Sequence, residues 1–378
     1  MKKLLALLCT LALLLTLAVP AFAVELRTDA SDYKILLIAD PQDDEDPAED
    51  MTNLIRTAIA KTQPDLIVCL GDMVEDSDVA KRREADGTVT ELPYEEIYKN
   101  CEQALAFEFA PIIESGIPYT TVIGNNDYQS GITAQDWYRL VSALPGIILP
   151  ERIVNSEGRI DNMFAVRNAD GTEALRIFTM DTGKKGVTNE QIEWFEKTND
   201  DRSIPALVFQ HVPMKEIGYL FKTCFPWDEG AIKKDGIYKR LNTKIAVGNN
   251  NGELENAGHT AQFRSIRKCG NVIGVFSGHV HDISMEGTYS GVRMGLVYSD
   301  RWNGNYQHGA ALLTFDKADM RRYTVTQYRY SGTVADGDAA LEIEEPLSYP
   351  APKGFAYIRY EWQLMCAYLQ EKIDAIFH

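Results

Sequence analysis

Three short apolar runs in the first third of the chain, each cut off by polar residues beside glycine or proline, constrain the fold more than any other feature of the sequence. Lys34-Ile-Leu-Leu-Ile-Ala39 stops at Asp40-Pro41-Gln42, Asp65-Leu-Ile-Val-Cys-Leu70 at Gly71-Asp72, and Pro118-Tyr-Thr-Thr-Val-Ile123 at Gly124-Asn125-Asn126-Asp127. Runs of this length and apolarity read as buried strands. Between them lie segments with helical apolar spacing, from about Ala48 to Lys61 and from about Tyr94 to Glu114. Strand, polar tip and helix in repeated order imply parallel strands joined by crossover helices. In such sheets ligands collect at the carboxyl ends of the strands, where these polar tips lie.

The pattern continues. Ala174-Leu-Arg-Ile-Phe-Thr-Met180 ends at Asp181-Thr182, and a helix carrying Ile192, Trp194 and Phe195 follows Thr188, a suitable N-cap. Ala206-Leu-Val-Phe209 ends at Gln210-His211-Val212-Pro213, and a further strand is expected at about Met163–Arg167. From Met214 to about Ala257, Pro226, Trp227 and Gly248-Asn-Asn-Asn-Gly252 read as a long loop or lid. A short helix near Ala261–Lys268 leads into Val272-Ile-Gly-Val-Phe276, a strand that stops at Gly278 with His279 and His281 one residue apart. Positions i and i+2 of an extended segment share a face, so both imidazoles can reach one metal site or two adjacent ones. Taken alone, His-x-His is also an ordinary surface turn. Met285–Tyr298, Ala310–Phe315 and Arg322–Tyr330 alternate as antiparallel strands. A turn-rich acidic linker, 331–352, then precedes a helical stripe of Trp362, Met365, Leu369, Ile373 and Phe377 that is expected to pack on the domain.

Residues 1–23 combine Lys2 and Lys3, an apolar stretch and an Ala-x-Ala ending, the pattern of a cleavable signal peptide, so the mature chain is expected outside the cytoplasm. No later stretch is long and apolar enough to span a bilayer. Losing the two lysines takes the net charge from -17 to -19, which argues against a nucleic-acid-binding surface or an anionic membrane partner. An acidic chain that binds phosphate needs metal cations to do so. Of the cysteines, Cys9 leaves with the signal and Cys69 lies inside a strand as core packing, while the rest show no metal-knuckle spacing. No residue pattern fixes an oligomeric state.

Asp40, Gln42, Asp72, Asn125, Asn126, Asp127, His211, His279 and His281 all stand at strand ends. A two-metal site needs this mixture, with a carboxylate to bridge and nitrogen and oxygen donors to complete each shell. Each residue is also a common turn former, but that reading must explain five polar tips separately. Asp40-x-Gln42, Gly71-Asp72, Gly124-Asn125-Asn126-Asp127, His211-x-Pro213 and Gly278-His279-x-His281, in this order, resemble the calcineurin-like metallophosphoesterase superfamily. Met180-Asp-Thr-Gly183, Gln191-x-x-Trp194 and Gln210-His211-Val-Pro-Met214 resemble its small purple-acid-phosphatase-like branch.

The resemblance implies an α/β (α+β) fold, a four-layer αββα sandwich of two mixed β-sheets flanked by helices, over residues 24–330. It implies two divalent or trivalent ions (Mn, Fe, Zn or Mg). Asp40 and His281 would hold one, Asn125, His211 and His279 the other, and Asp72 would bridge them. Asn126 and Asp127 would stand at the catalytic positions. The implied activity is hydrolysis of a phosphorylated small molecule or polymer by a hydroxide activated between the ions.

Two departures from the family pattern bear on chemistry. Gln42 replaces the His of a usual Asp-x-His, offering a harder, neutral oxygen donor that favours Mn, Mg or Ca over Fe or Zn. Asn126 replaces the His of Gly-Asn-His-Asp, and a carboxamide donates a hydrogen bond but delivers no proton. Poor leaving groups suffer most from that loss, and some phosphodiesterases of the superfamily also lack that His, so the resemblance implies phosphodiesters or activated monoesters as substrates. A catalytically impaired binding protein of the same fold is the rival expectation. His259 and His308 are candidate substitutes for the missing acid, though each is better read as an exposed loop histidine. No tyrosine follows Gly71-Asp72, where Glu75 stands, so an iron–tyrosinate chromophore is not expected.

Overall fold

The computed structural model describes residues 24–25, 32–344 and 362, apart from 84–85, 150–152, 155, 235, 251, 253, 255–260, 302–306 and 335–339. The expected signal segment, His259 and all but Trp362 of the C-terminal stripe lie outside these. The strands in chain order are β1 (Tyr33–Ile38), β2 (Leu66–Cys69), β3 (Tyr119–Thr121), β4 (Ile160–Arg167), β5 (Glu173–Met180) and β6 (Ala206–Gln210). There follow β7 (Ala246–Asn250), β8 (Val272–Ser277), β9 (Ile283–Tyr289), β10 (Val292–Leu296), β11 (Gly309–Phe315), β12 (Tyr323–Ser331) and β13 (Ala340–Ile343). The helices are α1 (Glu49–Thr62), α2 (Tyr94–Glu108), α3 (Asn125–Gln129), α4 (Ala134–Ser142), α5 (Asn189–Thr198) and α6 (Gln262–Cys269).

One sheet runs β13-β12-β11-β1-β2-β3 and the other β4-β5-β6-β8-β10-β9-β7, with the short strand Val24–Glu25 beside β4. Both are mixed. β1, β2 and β3 are parallel, as are β5, β6, β8 and β10, while β11, β4 and β9 join antiparallel. The period of two divides each strand between layers. Leu36 and Ile38 of β1 face α1 and α2, whereas Ile35 and Leu37 face Leu207 and Phe209 of β6 across the inter-sheet core. Ala206 and Val208 turn the other way, toward Phe195 and Ile266 of the helices on the far side. Three apolar cores separating helix, sheet, sheet and helix make the four-layer αββα sandwich.

Some local expectations are corrected. The helix expected over 94–114 breaks at Phe109 and restarts as Ala110–Ser115, because Pro111 has no N–H to continue the ladder. Met285–Tyr298 is not one strand but a hairpin turning at Ser290 and Gly291, both at positive φ (48° and 82°). The expected lid contains a three-stranded sheet (Phe221–Thr223, Ile237–Leu241 and Ile232–Lys234) and then β7. β7 includes Gly248, where a Cβ would sit 2.3 Å from the Ser284 carbonyl oxygen, so a residue that reads as loop is there for close strand approach. The expected linker contributes β13, whose Leu341 is buried. No helix among the described residues is long and apolar enough to cross a membrane.

Candidate metal centre

The site residues gather at the carboxyl ends of β1, β2, β3, β6 and β8, where the two sheets meet. Asp40, Asp72 and His211 are fully buried, Gln42 nearly so, and Asn125, Asn126, His279 and His281 form the partly open side. Four of them, Asp40 (φ 48°), Gln42 (47°), Asp72 (50°) and His279 (71°), adopt the left-handed conformation that L-residues other than glycine avoid. Strain of this kind concentrates at functional sites. The backbone holds it in place. The Asp40 N–H donates to Gly71 O (3.1 Å), the Gln42 N–H to Asp72 O (3.1 Å), and the His279 N–H to both Asp40 carboxylate oxygens (3.0 Å each). Gly124 permits the closest approach, since a Cβ there would lie 2.1 Å from both the N and an Oδ of Asp72.

Ligand atoms of Asp40, Asp72 and His281 lie within 4.8 Å of one another, and so do those of Asp72, His211 and His279. Asp72 belongs to both groups, which is the arrangement a bridging carboxylate requires. His211 Nδ1 lies 2.8 Å from the Leu70 carbonyl oxygen and donates there, so its Nε2 lone pair is the free one. That Nε2 faces Asn125 Oδ1 at 3.0 Å and Asp72 Oδ2 at 3.2 Å. Three acceptors meeting at one point are satisfied by a cation or by an extra proton on the ring. The buried Gln42 Oε1 has no hydrogen-bond partner. Among the described residues no Lys or Arg pairs with Asp40 or Asp72. The donors therefore suit two hard or borderline cations.

The buried carboxylates and imidazoles shift one another's titration. Burial pushes Asp40 up to about 8, with the Asp72 charge adding to it and His211 opposing. Burial would also raise Asp72, but His211 beside it holds its carboxyl below the usual range. Burial alone would lower His211, yet Asp72 and then Asp40 bring it up to about 10. His281 is lowered to about 4 by burial, with Asp72 opposing and the nearby Arg301 charge contributing.

Asn126 does not face outward as an acid would. Its backbone N–H donates to one Asp72 oxygen (2.7 Å) and its Nδ2 to the other (2.6 Å). Asp127 lies behind the site, where its carboxylate accepts from the N–H groups of Met73 (2.8 Å), Val74 (3.1 Å) and Gly124 (2.7 Å). It shapes the loops and does not reach the open side. Burial pushes it up to about 7. His308, at the start of β11, is buried rather than exposed and joins neither donor group. Asp181, next to the β5 tip, takes the Tyr128 hydroxyl of α3 and the Ile160 N–H, which ties the Asn125 helix to the second sheet.

Two residues that no sequence pattern joins also stand here. The Arg301 guanidinium pairs with Glu75 at 2.7 Å, and the Arg301 N–H donates to Asp40 O at 2.9 Å. Ser299 Oγ donates to the same Asp40 oxygen at 2.8 Å.

Comparison with known proteins follows the same lines. Residues 33–282 match the model of the calcineurin-like phosphoesterases. Two Arabidopsis thaliana proteins, named probable inactive purple acid phosphatases 14 and 28, are each 24% identical over 268 and 263 residues. These alignments cover 61% and 60% of this chain but only 57% and 59% of those proteins, so the chain spans under two thirds of the length of either relative. A dimetal phosphatase from Danio rerio aligns over 85% of this chain and all of its own, at 14% identity and a TM-score of 0.48. With the family match running through every one of the metal-centre motifs and over well more than half of its length, the chain belongs to the calcineurin-like phosphoesterase family.

Proposed function

We infer that the protein is an exported, metal-dependent phosphohydrolase that cleaves phosphodiesters or activated phosphomonoesters. The observation that carries this reading is Asp72, shared by two compact donor groups, one with Asp40 and His281 and the other with His211 and His279. Two ions held there would neutralise phosphoryl oxygens and make water acidic enough to attack at neutral pH. Gln42 and Asn125 would complete the donor sets. The chain itself orients His211 through Leu70, fixes both Asp72 oxygens through Asn126, and leaves no proton donor at position 126. The preference for good leaving groups follows from that last feature. Export rests on residues 1–23 alone, and the N-terminal sequence of protein recovered outside the cytoplasm tests it.

A second reading has its own support. The Asn126 side chain is committed to Asp72, and the Arabidopsis thaliana relatives carry the word inactive in their names. On that reading the chain binds metal and phosphate without turnover. Metal analysis of the purified protein, with hydrolysis of bis-p-nitrophenyl phosphate and p-nitrophenyl phosphate assayed under Mn, Zn, Fe and Mg in turn, separates the two. Two ions per chain and turnover lost in Asp72→Asn support the enzyme. Two ions with no turnover under any metal support the binder.

A further inference from the structure

We propose that Arg301 grips the phosphoryl oxygens of the substrate, and that Glu75 holds its guanidinium ready beside the centre until phosphate replaces the carboxylate. The proposal rests on the phosphoester reading above. Arg301 is rooted in the site, since its N–H donates to Asp40 O and also to Ser299 Oγ (3.0 Å). Its pair with Glu75 is not sealed, for 28% of the Arg301 side chain and 13% of the Glu75 side chain remain exposed. A partly exposed ion pair contributes little to stability, so exchanging a carboxylate for a more highly charged phosphate is easy. The planar guanidinium also matches phosphate geometry with two parallel hydrogen bonds.

The surroundings make this cation matter. Asp40, Asp72 and Asp127 load the centre with carboxylates, and residue 126, at the mouth, is a neutral carboxamide. Arg301 thus supplies a positive charge, belonging to the chain itself, beside the Asp40 and Asp72 loops. The competing explanation is a clamp in which Arg301 and Glu75 merely tie the Asp72 loop to the segment after β10. A clamp needs both partners equally. A phosphate grip needs only the arginine.

That difference is measurable. Wild type, Arg301→Gln, Arg301→Lys and Glu75→Gln are loaded with Mn, the ions per chain are counted, inorganic phosphate is titrated calorimetrically, and KM and kcat for bis-p-nitrophenyl phosphate are separated. The expected result is an unchanged ion count in all four. Phosphate affinity should fall about tenfold or more in Arg301→Gln, mirrored in KM. Arg301→Lys should retain part of that affinity, and Glu75→Gln should bind phosphate as tightly as wild type or tighter. Equal losses in Glu75→Gln and Arg301→Gln identify a clamp and overturn the proposal, as does wild-type phosphate binding by Arg301→Gln. If wild type binds neither two ions nor phosphate, the phosphoester reading falls and takes this proposal with it. The separate ion count tells that failure apart from a failure of Arg301 alone.

Discussion

Replacing Gly124 with alanine tests the geometry of the centre without touching a proposed ligand. The added methyl would lie 2.1 Å from the Asp72 nitrogen and from one of its carboxylate oxygens, and 2.8 Å from its Cα. Two of these atoms are backbone, so no rotamer change relieves the clash. To reach an ordinary 3.4 Å contact the two loops must part by about 1.3 Å. Overpacking of this kind costs about 1–3 kcal/mol, a tolerable part of a typical folding free energy. Metal donors tolerate only about 0.2 Å of error, so the same displacement pulls Asp72 out of both donor groups. Disturbing the groups that orient a ligand lowers affinity about 10–100-fold, and moving the shared ligand itself should reach at least the upper end of that range. Mn titration followed by metal analysis, alongside urea midpoints of the ion-free protein, reads the two effects separately. A Gly124→Ala protein that folds and still binds two ions with wild-type affinity refutes the reasoning, because Asp72 could not then be the close-packed bridge described.

Three further outcomes are expected. Asn126→His should raise kcat/KM for alkyl phosphomonoesters by about a hundredfold through general acid help, while activated diesters change little, and equal effects on both classes would count against the acid position. In the ion-free protein Asp40 and Asp127 are pushed up to about 8 and about 7 by burial, and Asp72 brings His211 to about 10 against burial, so from roughly pH 6.5 to 8 the folded chain holds more protons than the unfolded chain and stability falls as pH rises. Urea midpoints in chelator should therefore decline across that window and level out with Mn, and a midpoint that climbs in chelator contradicts the assignment. Tyr128→Phe leaves the buried Asp181 short of a donor and should cost about 1–3 kcal/mol in urea unfolding, with unchanged stability showing that the tie between α3 and the second sheet carries no load.

Much of the candidate centre could be read in advance because each candidate ligand follows an apolar run, and the run itself announces a buried strand. Asp40, Asp72, Asn125, His211, His279 and His281 needed only that local signal, and the fold brings them together because parallel strands put all their carboxyl ends on one side. Asp40, Asp72 and His281 form one compact group of possible donors there, and Asp72, His211 and His279 another. What escaped depends on contacts between distant segments. Nothing near Glu75 or Arg301 in sequence announces their pairing. Asn126 reads as an acid position, yet its direction is decided by Asp72, more than fifty residues earlier. Gly248-Asn-Asn reads as loop because its strand character comes only from pairing with β9. The break at Phe109 was locally signalled by Pro111, and the helical spacing continuing on both sides concealed it.

The left-handed backbone at Asp40, Gln42, Asp72 and His279 has a bearing on how ions enter. Each of these residues holds a torsion it would abandon in an unfolded chain, and it does so through hydrogen bonds that involve no ion. Aiming the candidate donors is thus accomplished during folding, and an ion would arrive at a receptacle already cast. Uptake should accordingly proceed at the pace of ion dehydration and diffusion, with no slow rearrangement of the loops in its time course.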